Sequence, residues 1–189
     1  MTAGTKSLYY DESHEAFRDT VRRFVEKEIS PFVDEWDEAG GFPRELYKKA
    51  ADVGILGLGY PEEYGGSPCD QFHRIVLSQE LARSGAGCVS ASLMSHTIGS
   101  PPILAVGPQA MKERVLPQVL SGEKISALAI TEPSGGSDVA QLKTTARREG
   151  DHYIVNGSKM FITSGVRADF YTVAVSTGGP GASGVSLLL

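Results

Sequence analysis

Residues 129–138 read AITEPSGGSD and carry the groups in this chain best suited to hold a ligand. Thr131 and Ser137 have hydroxyls that can donate or accept hydrogen bonds. Pro133 fixes one backbone torsion, and the adjacent Gly135 and Gly136 let the backbone approach a flat, polar-edged ligand closely. Taken alone, such a stretch is more typical of a tight surface turn, so a second element is needed before it predicts a site.

The second element is residues 159–165, which read KMFITSG and follow Asn156 and Gly157. An Asn-Gly pair is a strong two-residue hairpin signal, so we predict a turn there and a strand over residues 160–163. In a strand, Phe161 and Thr163 point to the same face. There the phenyl ring of Phe161 could stack on a flat ligand ring, and the hydroxyl of Thr163 could hydrogen-bond to the edge of that ring. The alternative is a core phenylalanine with a solvent-facing threonine.

Other chemistries find little support in the sequence. No glycine-rich dinucleotide fingerprint and no Walker-type loop is present. Ser137 lacks the glycine two residues later that a nucleophile elbow requires. The histidines are scattered without ligand spacing, so we predict no metal site; they are His14, His73, His96 and His152.

Composition narrows the function classes further. The 189 residues carry a formal net charge of −5 and no basic stripe, which argues against nucleic acid as a partner. No apolar run reaches the length of a bilayer span, and the N-terminus does not read as a secretory signal. Cys69 and Cys88 are too few for a disulfide framework, so we expect reduced thiols in a cytoplasmic protein.

The apolar spacing changes along the chain. Helical spacing predicts helices over residues 11–29, with Asp11 as N-cap, and over residues 42–54, 70–83 and 108–122. Strand-length runs then predict strands at residues 125–130, 144–148, 153–155, 160–163, 170–175 and 185–189. We therefore predict an α+β chain with an all-α helical domain at residues 1–122 and a β-rich domain at residues 123–189. The apolar ending LLL is typical of a truncated chain.

The two elements together, in this order and about thirty residues apart, resemble the acyl-CoA dehydrogenase family. The helical half adds residues 54–57, GILG, and residues 61–66, PEEYGG, which are similar to that family's helical domain. The resemblance implies a helical N-terminal domain, then a β-barrel-like middle domain that is incomplete here, with the C-terminal helical domain missing.

The resemblance also implies a set of residues that contact FAD. These are Leu128, Ile130, Thr131, Gly136, Ser137, Phe161 and Thr163, with Ser137 also near the substrate. Phe161 and Leu128 depart from the family pattern, which commonly has tryptophan at the first position and frequently an aromatic at the second. No catalytic residue is assigned, because the family's glutamate base lies in the C-terminal domain; Glu132 is expected to be structural.

The implied function is α,β-dehydrogenation of an acyl-CoA thioester, with the α-proton taken by a carboxylate and the β-hydrogen transferred as hydride to flavin N5. An electron-transfer flavoprotein as acceptor and a homo-oligomer, dimer or tetramer, are implied with it. Two alternatives stay open: an acyl-CoA oxidase or another flavin oxidase or monooxygenase on this scaffold, or a non-catalytic, flavin-free module. We expect this chain alone to retain FAD weakly and to turn over no acyl-CoA.

Overall fold

A computed structural model describes residues 7–179 and 181–189. The α+β class is confirmed: a helical region is followed by a mixed five-stranded sheet. The chain divides into two compact units, one of residues up to Leu93 with Leu120–Glu123 and one of Met94–Val119 with Lys124–Leu189. Among the described helices, none is long and apolar enough to cross a membrane.

The first unit is helical. Its elements are α1 (Glu12–Glu28), a 3-10 turn (Ser30–Phe32), α2 (Val33–Ala39), α3 (Glu45–Asp52), a second 3-10 turn (Glu62–Tyr64), α4 (Gln71–Ala82) and α5 (Gly87–Leu93). The predicted cap of α1 is confirmed, because the Asp11 carboxylate accepts from the N–H groups of Ser13 and His14. The helices α1 and α4 pack together and bury Val21 and Val76 completely.

The second unit holds three further helices and the sheet. The helices are α6 (His96–Gly99), α7 (Pro101–Val106) and α8 (Gln109–Leu120), whose last residue belongs to the first unit. The strands are β1 (Ser126–Ala129), β2 (Thr145–Glu149), β3 (His152–Asn156), β4 (Phe170–Ser176) and β5 (Val185–Leu188). Short 3-10 turns lie at Val139–Gln141 and Gly181–Gly184.

The sheet order is β1-β4-β2-β3, and β5 pairs with β4. Strands β1 and β4 run parallel with Ser126 opposite Phe170, whereas β2 and β3, both predicted as strands, form an antiparallel hairpin. Within the described residues these strands form an open sheet that does not close into a barrel. The α+β prediction therefore holds, while the barrel-like closure that the resemblance implied is not reached.

Helix α6 lies directly against β1. A Cβ added to Gly99 would come within 2.7 Å of Ser126 Oγ and 3.0 Å of the Ala127 carbonyl carbon. The Gly99 carbonyl also accepts a 2.6 Å hydrogen bond from Thr172 Oγ1 on β4. The small residue thus permits a backbone-to-backbone approach that positions β1, and with it the loop that follows.

Two local predictions are wrong. Residues 160–163 are not a strand, because Phe161 has a positive φ of +56° and the Met160 N–H donates to a loop residue, Thr131, rather than to a strand. Asn156 and Gly157 do not form a two-residue hairpin turn, since Asn156 is the last residue of β3 and the next strand, β4, begins only at Phe170. Gly157 is instead required by close packing: an added Cβ would overlap Thr144.

Candidate functional site

The loop at residues 131–138, here the 131–138 loop, leaves β1 and folds back on itself at once. The Glu132 N–H donates to the Gly135 carbonyl at 3.0 Å, and the Gly135 N–H donates to the Glu132 carbonyl at 3.1 Å. Pro133 and Ser134 form the exposed tip between them. This closed turn fixes the backbone on either side of Glu132, including Thr131.

The carboxylate of Glu132 holds the loop in place through hydrogen bonds to residues outside it. Its side chain is buried, and its oxygens accept from the N–H groups of Lys143 at 2.6 Å and Thr144 at 2.8 Å. Burial raises the pKa of Glu132, but hydrogen bonds from Thr144, Lys143 and Lys159 outweigh it and hold the pKa at about 2. Glu132 is therefore an ionised structural acceptor, as expected from its place within the motif.

Lys159 joins the 131–138 loop to residues 159–165, here the 159–165 segment. Its ammonium group donates to Glu132 Oε1 at 2.9 Å and to the Ile130 carbonyl at 2.9 Å. Next to it, the Met160 N–H donates to the Thr131 carbonyl at 2.9 Å. The two elements that the sequence singled out are thus bound to each other on both sides of Thr131.

Phe161 follows this junction in a costly conformation. Its φ is +56°, a region that bulky residues seldom occupy, and 86 % of its side chain is exposed. Ser164, at +62°, is the other non-glycine residue with a positive φ among those described. Strain and an exposed aromatic ring in one segment are features that cluster at ligand sites.

The remaining predicted residues lie around this junction. Gly136 packs against Thr131, since a Cβ added there would be 3.1 Å from both Thr131 Oγ1 and Cγ2. Leu128 is half-buried and pairs with Thr172 in the sheet, and Thr163 is half-buried in a turn. Ser137 is exposed on the loop. The structure therefore brings Ile130, Thr131 and Gly136 into one bonded or packed group with the 159–165 segment, and no described hydrogen bond adds Ser137 or Thr163 to it.

Family models match almost the whole chain. The model described as acyl-CoA dehydrogenase, N-terminal domain, matches residues 11–123, and the model for the middle domain matches residues 127–189. The chain belongs to the acyl-CoA dehydrogenase family. The resemblance drawn from the 131–138 loop and the 159–165 segment is thereby confirmed.

Similar proteins match nearly all of this chain and extend beyond it. Acyl-CoA dehydrogenase apdG of Emericella nidulans is 38% identical over 98% of this chain and 47% of its own length. A Mycobacterium smegmatis crystal structure assigned to the acyl-CoA dehydrogenases is 50% identical with a TM-score of 0.92, over 96% of this chain and 48% of the other. A Bacillus anthracis acyl-CoA dehydrogenase complexed with FAD is 32% identical with a TM-score of 0.82, over 95% and 30%. The chain spans about half the length of the curated relatives it matches.

The 131–138 loop offers hydrogen-bond donors to a ligand. In the described part of the chain, the Thr131 hydroxyl forms no hydrogen bond, and the N–H groups of Gly136 and Ser137 donate to no protein acceptor. The missing Cβ of Gly136 keeps the backbone beside Thr131 open. These donors and the exposed ring of Phe161 fit a flat heteroaromatic group with polar edges.

Sequence reasoning gave no role to Lys159, although it lies in the quoted motif. Its two acceptors are distant in sequence, with Glu132 27 residues away, so no local pattern pairs them. The one signal in the sequence is that one motif contains a glutamate and the other contains a lysine. A buried carboxylate needs a cation or several donors, and Lys159 meets that need.

Proposed function

We propose that this chain supplies one wall of the flavin site of an enzyme that dehydrogenates an acyl-CoA thioester between its α- and β-carbons. The observation that carries the proposal is the junction at Thr131: the loop's unpaired donors lie there, and Met160, which bonds to Thr131, is followed by the strained, exposed Phe161. Members of the family act on acyl-CoA and pass electrons to an electron-transfer flavoprotein, and we extend both partners to this protein. FAD, when bound, accepts the β-hydrogen as hydride.

The residues of this chain would hold and orient the cofactor. The Thr131 hydroxyl and the N–H groups of Gly136 and Ser137 would donate to its polar edges, and Phe161 would cover its ring. Leu128, Ile130 and Thr163 belong to the same proposed surface, and Ser137 would also approach the substrate. Glu132 cannot act as the base here, because its buried oxygens are already occupied by three donors.

The organisation around this wall is also proposed. Residues 1–122 and 123–189 would be the helical and middle domains, in line with the spans of the two family models. We further propose a homo-oligomeric protein of the cytoplasm. Cys69 and Cys88, which are both free thiols in the structure, are compatible with that compartment.

Amide chemical-shift mapping tests the proposed wall even if binding is weak. With FAD added to the isotopically labelled chain, we expect shifts at residues 130–137 and 161–163. Thr131→Val removes the hydroxyl at nearly constant volume and should weaken binding about tenfold, as expected for one lost hydrogen bond of roughly 1.5 kcal/mol. The control is Thr145→Val, which alters an exposed threonine on β2.

The result has two clear readings. Shifts confined to these residues, reduced by Thr131→Val and unchanged by Thr145→Val, support the flavin wall. Shifts that are absent at millimolar FAD, or that lie on α1 and α4 instead, contradict it.

A further inference from the structure

Two histidines and an aspartate meet at the N-terminal ends of α1 and α4, inside the first unit. His14 Nε2 lies 3.0 Å from each Asp70 carboxylate oxygen, and His73 Nδ1 lies 2.9 Å from Asp70 Oδ1. One ligating atom from each residue falls within 4.8 Å of the others. Imidazole nitrogens and a carboxylate are the donors that borderline divalent metals such as Zn²⁺ prefer.

Asp11 supports this cluster from behind. Its Oδ1 lies 2.8 Å from Nδ1 of His14, the ring nitrogen that faces away from Asp70. The hydrogen bond at Nδ1 comes from the Asp11 N–H at 3.0 Å, so the neutral ring carries its proton on Nε2, toward Asp70. A cation bound at Nε2 requires that proton to move to Nδ1, where Asp11 Oδ1 is near enough to accept it. A carboxylate behind a histidine is the usual outer partner of a metal-bound imidazole.

The surroundings are open on one side and apolar on the other. His14 is buried and His73 is half-buried, whereas 53 % of the Asp70 side chain is exposed. The rings of Phe72 and Tyr10 lie 5.9 Å and 6.0 Å from the His14 ring, centroid to centroid. A cation can therefore enter beside Asp70 while the far side is shielded from water.

Charge balance favours a divalent ion. The carboxylates of Asp11 and Asp70 carry two negative charges at the cluster, which one divalent cation would neutralise. His14 and Asp70 are 56 residues apart in sequence, so an ion held by both would link the start of α1 to the start of α4. Such a link stabilises the folded state, because the unfolded chain does not hold the ligands together.

We propose that His14 Nε2, His73 Nδ1 and the Asp70 carboxylate form a binding site for a divalent transition-metal cation of the zinc type, oriented by Asp11. The site lies in the first unit and does not depend on the flavin wall of the second. Water completes the coordination on the exposed side. The site is a structural clamp between the two helices α1 and α4.

Zinc binding to the chelator-treated chain is the direct test. Equilibrium dialysis should give about one Zn²⁺ per chain, and Zn²⁺ should raise the melting temperature, since a ligand that binds only the folded state stabilises it. Co²⁺ should give the visible absorption of a nitrogen- and oxygen-ligated ion. Asp70→Asn keeps a good N-cap but loses the carboxylate, and His73→Gln removes one imidazole. Each should weaken Zn²⁺ binding at least ~10-fold, and Asp11→Asn about 10-fold.

His152→Gln is the matched control. His152 also contacts an aspartate, Asp151, at 3.0 Å, but the pair is exposed on the hairpin and no third ligand joins it among the described residues. This variant should bind Zn²⁺ as the wild type does. If Asp70→Asn does not fold, His73→Gln with the Co²⁺ spectrum decides the matter. The proposal is overturned if the wild type takes up no Zn²⁺, or if folded His73→Gln binds it as tightly as the wild type.

Discussion

At the scale of single residues, Glu132 shows why a carboxylate inside a binding motif need not do chemistry. Its oxygens accept from two backbone N–H groups and from Lys159, all at 2.9 Å or less. A carboxylate with these partners is held ionised and cannot readily take up a proton. It therefore stabilises the conformation of the 131–138 loop, and we expect its substitution to change the free energy of unfolding.

The pH dependence of folding should reveal this role. The folded pKa of Glu132, about 2, lies below the unfolded value of about 4.3. Its stabilising contribution is therefore complete above the unfolded value and is lost as the pH falls from there toward 2. Glu132→Gln should lower the free energy of unfolding at pH 7 by about 1–3 kcal/mol, because an amide NH₂ replaces one acceptor.

Urea unfolding of both proteins between pH 7 and pH 3 measures this difference. The difference in the free energy of unfolding between wild type and Glu132→Gln should become smaller as the pH falls below about 4.3. Glu38→Gln, which removes an exposed carboxylate from α2, controls for the loss of one charge. A difference that stays constant over this range would show that the carboxylate charge does not hold the loop.

Variants at Phe161 allow folding stability and FAD binding to be measured separately. At its positive φ an L-residue is strained by about 1–2 kcal/mol, and glycine is not. Phe161→Gly should therefore be more stable than Phe161→Ala by about 1 kcal/mol, while both lose the ring that would cover the flavin. At Met160, where φ is not positive, the Gly variant should instead be the less stable of the pair.

Thermal unfolding and FAD titration of the four variants test this prediction. Equal stabilities for Phe161→Gly and Phe161→Ala would mean that the backbone relaxes and stores no strain. Unchanged FAD shifts in both would remove Phe161 from the proposed wall.

At the scale of elements, the close approach of α6 to β1 depends on Gly99, which has a hydrogen atom where other residues have a Cβ. Gly99→Ala places a methyl group 2.7 Å from Ser126 Oγ and 3.0 Å from the Ala127 backbone, so helix and strand must separate. We expect a loss of about 1–3 kcal/mol in the free energy of unfolding, the usual cost of overpacking. Gly87→Ala, where a Cβ meets nothing within 4 Å, is the matched control and should be close to neutral.

Denaturant unfolding of the two alanine variants compares them directly. A Gly99→Ala protein as stable as Gly87→Ala would show that α6 can move away from β1 at little cost.

The same scale shows what local sequence patterns can predict. Helix α1 was predicted because Asp11 caps it and its apolar residues repeat at helical spacing, both local features. The strand expected at residues 160–163 failed because its apolar run has no strand beside it; Met160 bonds to the loop at Thr131 instead. Pairing partners are a tertiary property, and an apolar run alone does not specify them.

At the scale of the whole molecule, motifs identified the two pieces of the candidate site but not the contact between them. Thr131 and Phe161 were predicted from their own segments, whereas the bonds from Lys159 to Glu132 and Ile130 appear only once the chain is folded. His14 and His73 are a second case. Their sequence separation offered no ligand spacing, yet α1 and α4 bring both to one aspartate.

The last prediction concerns the activity of the chain as a whole. The proposed flavin wall lies in this chain, but its Glu132 carboxylate is engaged by three donors, and we assign no other residue as the base that removes the α-proton. Without a base the α-carbon is not activated, so donors that orient a flavin are not sufficient for turnover. We expect the 189-residue chain, supplied with FAD and an artificial electron acceptor, to form no enoyl-CoA from short, medium or branched acyl-CoA. Product analysis by mass spectrometry, with a full-length family member as positive control, measures this. Enoyl-CoA formation above that of heat-treated protein would show that a carboxylate in this chain acts as the base.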